Sequence, residues 1–131
     1  MKVLALDYGA ARTGVAVSDP TGTLARPVCI VERAATEAGL DSLVALIERE
    51  APERIVVGMP VTLGGEHGSQ AEETERFVEA LRAATALPVE TYDERFTTRL
   101  AARSAGTAPE DAVAAAHLLT GYLEWTTSRR A

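Results

Sequence analysis

Hydrophobic residues cluster in short runs along the first part of the chain, and these runs predict three strands. Val3–Leu6 is apolar on both faces, which is typical of a strand buried in the middle of a sheet. Thr13–Ser18 and Thr23–Glu32 are the next two extended segments, and turns containing glycine or proline separate the runs. Pro27 inside the third segment predicts an edge strand or a bulge. We therefore expect three consecutive antiparallel strands at the start of the chain.

Apolar residues then recur at helical spacing. Thr36 is the predicted N-cap of a helix that continues to about Glu50, and Pro52 stops it. The apolar stripe of this helix consists of Leu40, Leu43, Val44 and Ile47. The short run Arg54–Gly58, which is apolar after its first residue, follows the helix, so we expect a strand parallel to the first one.

Helices and strands continue to alternate in the second half. We predict, in order, a helix from Ser69, a strand at Leu87–Tyr92, a helix over 96–104, and a last helix from Pro109 or Glu110 to about Trp125. A three-stranded meander followed by two right-handed βα steps gives an α/β fold. The prediction is a five-stranded mixed sheet with helices on both faces, in a single domain spanning residues 1–131.

Composition and charge narrow the class of protein. The chain has 131 residues, of which 47% are hydrophobic and 24% charged, as in ordinary globular domains. A single cysteine, Cys29, excludes a disulfide framework and fits a reducing, cytoplasmic location. No signal peptide or membrane span is expected, because only four apolar residues precede Asp7. The net charge of −6 argues against broad electrostatic binding to nucleic acid, but not against a local basic face or a carboxylate metal site.

Asp7 ends the first predicted strand, and Gly9 follows in the turn. A carboxylate at a strand end is held by rigid backbone, and a glycine two residues later lets a metal, a phosphate or a neighbouring backbone approach closely. The alternative is that Asp7 only caps the turn.

Two further acidic residues lie at the ends of other predicted elements. Glu94 comes after the fifth strand and Asp111 starts the last helix. If they meet Asp7 at ~5–6 Å, each pair of charges costs about 3 kcal/mol at an effective dielectric near 20, so a cation is needed among them. Oxygen-only ligands favour Mg²⁺ or Mn²⁺, and two such ions promote phosphodiester cleavage. The alternatives are that Glu94 pairs with an arginine and that Asp111 is an ordinary first-turn helix acid.

Four stretches of the sequence resemble, in order, the blocks of one family. They are LALDYGAARTGVAVSD, IVVGMP with a Gly-rich loop and Gln70, YDERFTT, and EDAVAAAHLLTGYLE. Together they are similar to the YqgF family, also called RuvX, the Holliday-junction-resolvase-like or pre-16S rRNA nuclease family. The resemblance implies an RNase H-like fold, similar to the resolvase RuvC, and a link to maturation of the 5′ end of 16S ribosomal RNA. It also implies that Asp7, Glu94 and Asp111 are metal-binding catalytic acids, and that Gly9, Arg12 and Arg95 belong to the site.

One segment departs from the family's pattern. The stretch RLAARSAGTAP, before the last helix, is short and lacks the lysines that the family usually has there. Arg95, Arg99 and Arg103 recur at helical spacing and are candidates for a replacement basic stripe that binds phosphates. A solvated helix face is the alternative.

The function that we expect is a metal-dependent nuclease, a hydrolase of phosphodiester bonds that processes precursor 16S rRNA with Mg²⁺ or Mn²⁺. The alternatives are a Holliday-junction or branched-DNA endonuclease, a non-catalytic nucleic-acid-binding module, and an ATP-binding phosphotransferase-like domain. The expected partner is nucleic acid, with no membrane, and the protein is expected to be a monomer or a homodimer. RNA versus junction DNA, and endonucleolytic versus exonucleolytic cleavage, stay open at this point.

Overall fold

The computed structural model describes residues 1–59, 69–93 and 110–130, with the side chains of residues 69, 110, 111 and 127–130 outside that description. Its elements are β1 (Val3–Asp7), β2 (Arg12–Ser18), β3 (Ala25–Glu32), α1 (Glu37–Glu50), β4 (Arg54–Met59), α2 (Ser69–Ala84), β5 (Val89–Asp93) and α3 (Glu110–Arg130). The predicted helix over 96–104 and the Gly-rich loop over 60–68 lie outside the described residues.

The five strands form one sheet in the order β3-β2-β1-β4-β5, which places β1 at the centre. β1 is antiparallel to β2 and parallel to β4, and β5 is parallel to β4. This mixed sheet is the predicted one. β3 is an edge strand, and its register with β2 shifts between Val15 and Ala16, which pair with Cys29 and Pro27. Both expectations for Pro27 are therefore confirmed.

Helices cover the two faces of the sheet, as predicted. On one face Leu4 and Leu6 pack in a cluster with Leu43 of α1 and with Phe77 of α2. On the other face Val3, Ala5 and Ala16 pack against α3, chiefly through Leu118, Leu119 and Tyr122. Successive side chains of a strand point to opposite faces. Asp7, two residues after Ala5, therefore lies on the α3 face.

The first helix begins and ends as its sequence predicts. The Oγ1 of Thr36 accepts a hydrogen bond from the backbone N–H of Gly39 at 3.1 Å, as an N-cap should. Ala51 closes the helix in the left-handed conformation, and its N–H donates to the carbonyl of Ile47 at 2.8 Å. Leu43 and Ile47 are buried, whereas Leu40 and Val44 are half-buried. Leu46, outside the predicted stripe, is buried as well.

The predicted end of the last helix was wrong. α3 continues to Arg130, five residues beyond Trp125. No glycine or proline follows Trp125 to stop the helix. The hydroxyl of Thr126 donates to the carbonyl of Leu123 at 3.0 Å, so this polar side chain is satisfied within the helix.

Candidate nucleic-acid site at the carboxyl edge of the sheet

The two ends of the sheet differ in which residues they present. We call the end where the parallel strands β1, β4 and β5 finish the carboxyl edge, and the opposite end the amino edge. β1 finishes there at Asp7, β4 at Met59 and β5 at Asp93, while β2 begins there at Arg12 and β3 finishes there at Glu32. Open α/β sheets place their ligands at this edge.

Glycines flank Asp7 on both sides within the sheet. Gly14 of β2 pairs with Asp7, and on β4 the residue after Val57, the partner of Leu6, is Gly58. Neither neighbour has a side chain, and both glycines are buried, whereas Asp7 on the α3 face is partly exposed. Asp93 ends β5, which is separated from β1 by β4. It follows Tyr92, which packs against α3, so Asp93 lies on the opposite face from Asp7.

The turn after Asp7 is tight, and Gly9 makes it possible. A Cβ at Gly9 would lie 2.5 Å from the backbone oxygen of Arg12. The structure therefore confirms that Gly9 allows neighbouring backbone to approach closely. A contact between Gly9 and substrate stays a prediction. Arg12 itself is exposed at the start of β2. It precedes Gly14 by two residues, so it lies on the same face of the sheet as Asp7.

Tyr8 fixes this turn to the second helix, a contact that the sequence analysis missed. Its ring stacks on Phe77 with centroids 4.5 Å apart, and its hydroxyl donates to Glu73 Oε1 at 3.1 Å. Burial, followed by the hydrogen bond to Glu73, raises the pKa of the Tyr8 hydroxyl above its ordinary value. Leu4, Leu6 and Tyr8 are alternate residues and therefore share one face of the sheet. This alternation was the pattern that could have predicted the ring of Tyr8 on the face covered by α1 and α2. Tyr8, the residue after Asp7, is therefore held against α2.

At the amino edge, polar side chains attach α3 to the sheet. The guanidinium of Arg54 donates to the hydroxyl of Tyr122 at 3.2 Å and to Glu90 Oε1 at 3.3 Å, and the Tyr122 hydroxyl also donates to Glu90. The hydrogen bond with Tyr122 raises the pKa of Arg54, and burial raises the pKa of Tyr122. No local pattern of residues predicted this cluster, because its members come from three separate elements.

This cluster holds the later part of α3 against the sheet. Tyr122 contacts Arg54, which pairs with Val3 at the amino edge. The ring centroids of Tyr122 and Trp125 each lie 5.7 Å from that of Tyr92, the residue before the end of β5. α3 is therefore attached to the parallel strands through residues near its C-terminal end.

The other predicted site residues cannot be placed beside Asp7. Glu94, Arg95 and Arg99 lie outside the described residues, and so does the side chain of Asp111. Among the side chains that the structure describes, which do not include those of Glu110 and Asp111, no three from His, Cys, Asp or Glu are grouped closely enough to hold a metal ion. The convergence of the three acids therefore stays a prediction.

Comparison with known proteins assigns the chain to a family. The family model described as RuvX, Holliday junction resolvase, matches residues 1–125. The chain belongs to the RuvX family. A relative of this RuvX protein in Chloroflexus aurantiacus, named "Putative pre-16S rRNA nuclease", is 38% identical over 131 residues, covering 93% of this chain and 86% of the relative.

Solved structures share the fold of this RuvX protein. RuvC of Thermus thermophilus in complex with a Holliday junction substrate superposes with a TM-score of 0.61 at 18% identity, covering 97% of each chain. This likeness confirms the predicted RNase H-like fold. A ROK hexokinase from Thermus thermophilus gives a TM-score of 0.51 at 24% identity, covering 77% of this chain but only 36% of the hexokinase. The described helices of the RuvX protein include none that is long and apolar enough to cross a membrane.

Proposed function

We propose that this RuvX protein is a metal-dependent nuclease that hydrolyses phosphodiester bonds during maturation of the 5′ end of precursor 16S rRNA. The observation that carries the proposal is family membership over residues 1–125, together with relatives named for this activity at 38% identity. The position of Asp7 supports it, because a partly exposed carboxylate ends the central strand at the edge where such sheets place their ligands.

Asp7, Glu94 and Asp111 are the proposed catalytic acids and the proposed ligands of Mg²⁺ or Mn²⁺. Asp7 fits this role because its partly exposed carboxylate supplies the hard oxygen donors that both ions prefer. Ions of this kind activate water and stabilise the leaving oxygen in phosphodiester hydrolysis. In this chain, Tyr8 holds the Asp7 turn against α2, and the Arg54 cluster attaches α3 to the sheet.

Gly9, Arg12, Arg95 and Arg99 are the proposed substrate-binding residues. Arg12 is exposed on the same face as Asp7, and its guanidinium is a charge-assisted hydrogen-bond donor of the kind that binds phosphate. We further propose that residues 1–131 act as a single domain, as a monomer or a homodimer, in the cytoplasm where ribosomal RNA is processed.

A second candidate is an endonuclease for Holliday junctions or other branched DNA. The description of the family favours it, since RuvX is described as a Holliday junction resolvase. The fold shared with RuvC is compatible with it but does not choose between DNA and RNA. A phosphotransferase is less favoured, because this chain matches only 36% of the hexokinase that shares its fold. Tight binding of ATP in a nucleotide-binding assay would favour the phosphotransferase over the nuclease.

The experiment that separates the two nuclease functions uses one protein preparation and two substrates. Purified protein is incubated with an end-labelled RNA spanning the 5′ end of 16S rRNA and with a labelled four-way DNA junction, each with Mg²⁺, Mn²⁺ or EDTA. We expect metal-dependent cleavage of the RNA. Cleavage of the junction alone would favour the resolvase, and cleavage that persists in EDTA would contradict the metal-dependent mechanism.

A further inference from the structure

The turn between β3 and α1 holds Arg33 in an unusual backbone conformation. Its φ is 47°, in the left-handed region that residues with a side chain rarely adopt. The N–H of Arg33 donates to the carbonyl of Ala11 at 3.0 Å, and its carbonyl accepts from the Oγ1 of Thr36 at 2.7 Å. A Cβ at Gly39 would lie 1.9 Å from that carbonyl oxygen, so α1 packs directly on the turn. The backbone of Arg33 is thus fixed from two sides.

The fold has no visible use for the Arg33 side chain. A glycine would adopt this φ without strain, so the turn itself is better served by a residue with no side chain. The side chain is exposed, and within the described part of the chain its guanidinium makes no hydrogen bond or ion pair. A strained residue that contributes nothing to packing is a candidate for a functional contact.

The location of Arg33 indicates what that contact is. Arg33 follows Glu32 at the carboxyl edge of β3, two strands from Asp7, with Arg12 at the start of the strand between them. Two strand spacings are about 10 Å across the sheet, and Arg33 lies a further ~10 Å along the strand direction, beyond Ile30, which is in line with Asp7 through Gly14, so the separation is about 14 Å. At a rise of roughly 3.4 Å per nucleotide, this distance corresponds to roughly four nucleotides. Glu32 and Glu37 flank the turn, and their negative charges offset the positive charge of Arg33. The site therefore suits contact with one phosphate rather than binding through a broad positive field.

We propose that Arg33 binds a backbone phosphate of the substrate about four nucleotides from the scissile bond, on the β3 side of Asp7. The proposal rests on the nuclease function above and extends the substrate path across Arg12 to the edge of the sheet. It assigns Arg33 to binding, with no part in the chemical step.

The test measures stability and binding separately in Arg33→Gly. We expect its melting temperature to be equal to or higher than that of the wild type, because the left-handed strain is relieved. Its affinity for the labelled precursor RNA, measured by fluorescence anisotropy in EDTA across a salt series, should fall, and the slope of log K against log salt should decrease by roughly one unit. Arg33→Lys should retain the wild-type slope, because it keeps the charge.

Ala51 provides a matched control elsewhere in the chain. It is the other described non-glycine residue with positive φ, at 50°, but it ends α1 on the amino-edge side, just before Pro52 and the start of β4. Ala51→Gly should raise the melting temperature and leave RNA affinity and salt slope unchanged. Arg33→Asn, which also tolerates the left-handed region, supplies a second neutral variant if Arg33→Gly is poorly folded.

A wild-type salt slope in both neutral variants would overturn the assignment of Arg33. The same loss of affinity in Ala51→Gly would overturn it too, because relief of backbone strain alone would then weaken binding. A wild-type protein that binds neither RNA nor junction DNA contradicts the nuclease function itself, which is a different failure and is visible before any variant is measured.

Discussion

The hydrogen bond between Tyr8 and Glu73 gives a prediction whose size follows from the structure. Tyr8→Phe removes one hydroxyl and keeps the ring that stacks on Phe77. The side chain is only 7% exposed, and the hydroxyl donates to a carboxylate at 3.1 Å. Hydrogen bonds to charged groups contribute about 1.5–3 kcal/mol, and partial exposure of Glu73 reduces this value to about 1 kcal/mol.

Chemical and thermal denaturation of Tyr8→Phe, Glu73→Gln and the double variant measure this contribution. A loss of about 1 kcal/mol corresponds to a fall of roughly 3–5 °C in the melting temperature of a chain of this length. Because the partners act through each other, the double variant should lose less than the sum of the single variants. Strictly additive losses, or an unchanged melting temperature in Tyr8→Phe, would refute the reasoning.

The same hydroxyl predicts a dependence on pH. Burial and Glu73 raise the pKa of Tyr8 in the folded state above its ordinary value of 10.0. A raised pKa means that the folded state retains the proton more strongly, so the contribution is complete below about pH 10 and is lost as the pH rises through the folded-state pKa. The stability difference between wild type and Tyr8→Phe should therefore be constant from neutral pH to about pH 9 and shrink at higher pH. A difference that grows above pH 10 would contradict this assignment.

Two further predictions concern packing and metal. Gly39→Ala should destabilise the protein by about 1–3 kcal/mol. The new Cβ would lie 1.9 Å from the backbone oxygen of Arg33, so the first turn of α1 must shift. An unchanged midpoint of urea denaturation would contradict this prediction. Millimolar Mg²⁺ or Mn²⁺ should raise the melting temperature, because a ligand that binds only the folded state stabilises it. At a metal concentration a hundred times the dissociation constant, the free energy of unfolding rises by about 2.7 kcal/mol. An unchanged melting curve would count against a metal site preformed by the acids.

Much of the architecture was predictable because its signals are local. The apolar run Val3–Leu6 indicated a strand buried on both faces, and β1 is central in the sheet. Pro27 indicated an edge or a bulge, since it cannot donate a ladder hydrogen bond, and β3 is an edge strand with a register shift beside Pro27. Local signals failed at the end of α3. The weak helix formers Thr126, Thr127 and Ser128 follow Trp125, yet the helix continues to Arg130.

The contacts that support the site were not predictable in this way. Tyr8 meets Glu73 across 65 positions of sequence, and Arg54 meets Tyr122 across 68. Pairings of this kind depend on how helices are set against the sheet, which no window of sequence contains. The left-handed conformation of Arg33 was also missed, because arginine carries no signal for positive φ. The sequence did indicate that Asp7 ends a strand, and the topology places it at the carboxyl edge.

The central claim is that Asp7 is a catalytic, metal-binding carboxylate, and Asp7→Asn tests it most directly. Asparagine keeps the shape and removes the charge, so a turn cap would survive the change. If Asp7 faces the other two acids, the metal-free variant should instead be more stable than the wild type by ~1–3 kcal/mol, because two repulsive pairs are removed.

The decisive measurement is the rate at which Asp7→Asn cleaves labelled precursor RNA in Mg²⁺ or Mn²⁺, with RNA binding in EDTA as its control. We predict that cleavage falls by at least ~10³-fold, because the support of water activation and of the leaving oxygen is lost. RNA binding in EDTA should hold or tighten, since a negative charge facing phosphate is gone. Near-normal cleavage by Asp7→Asn would contradict the catalytic assignment of Asp7 and the nuclease mechanism that depends on it.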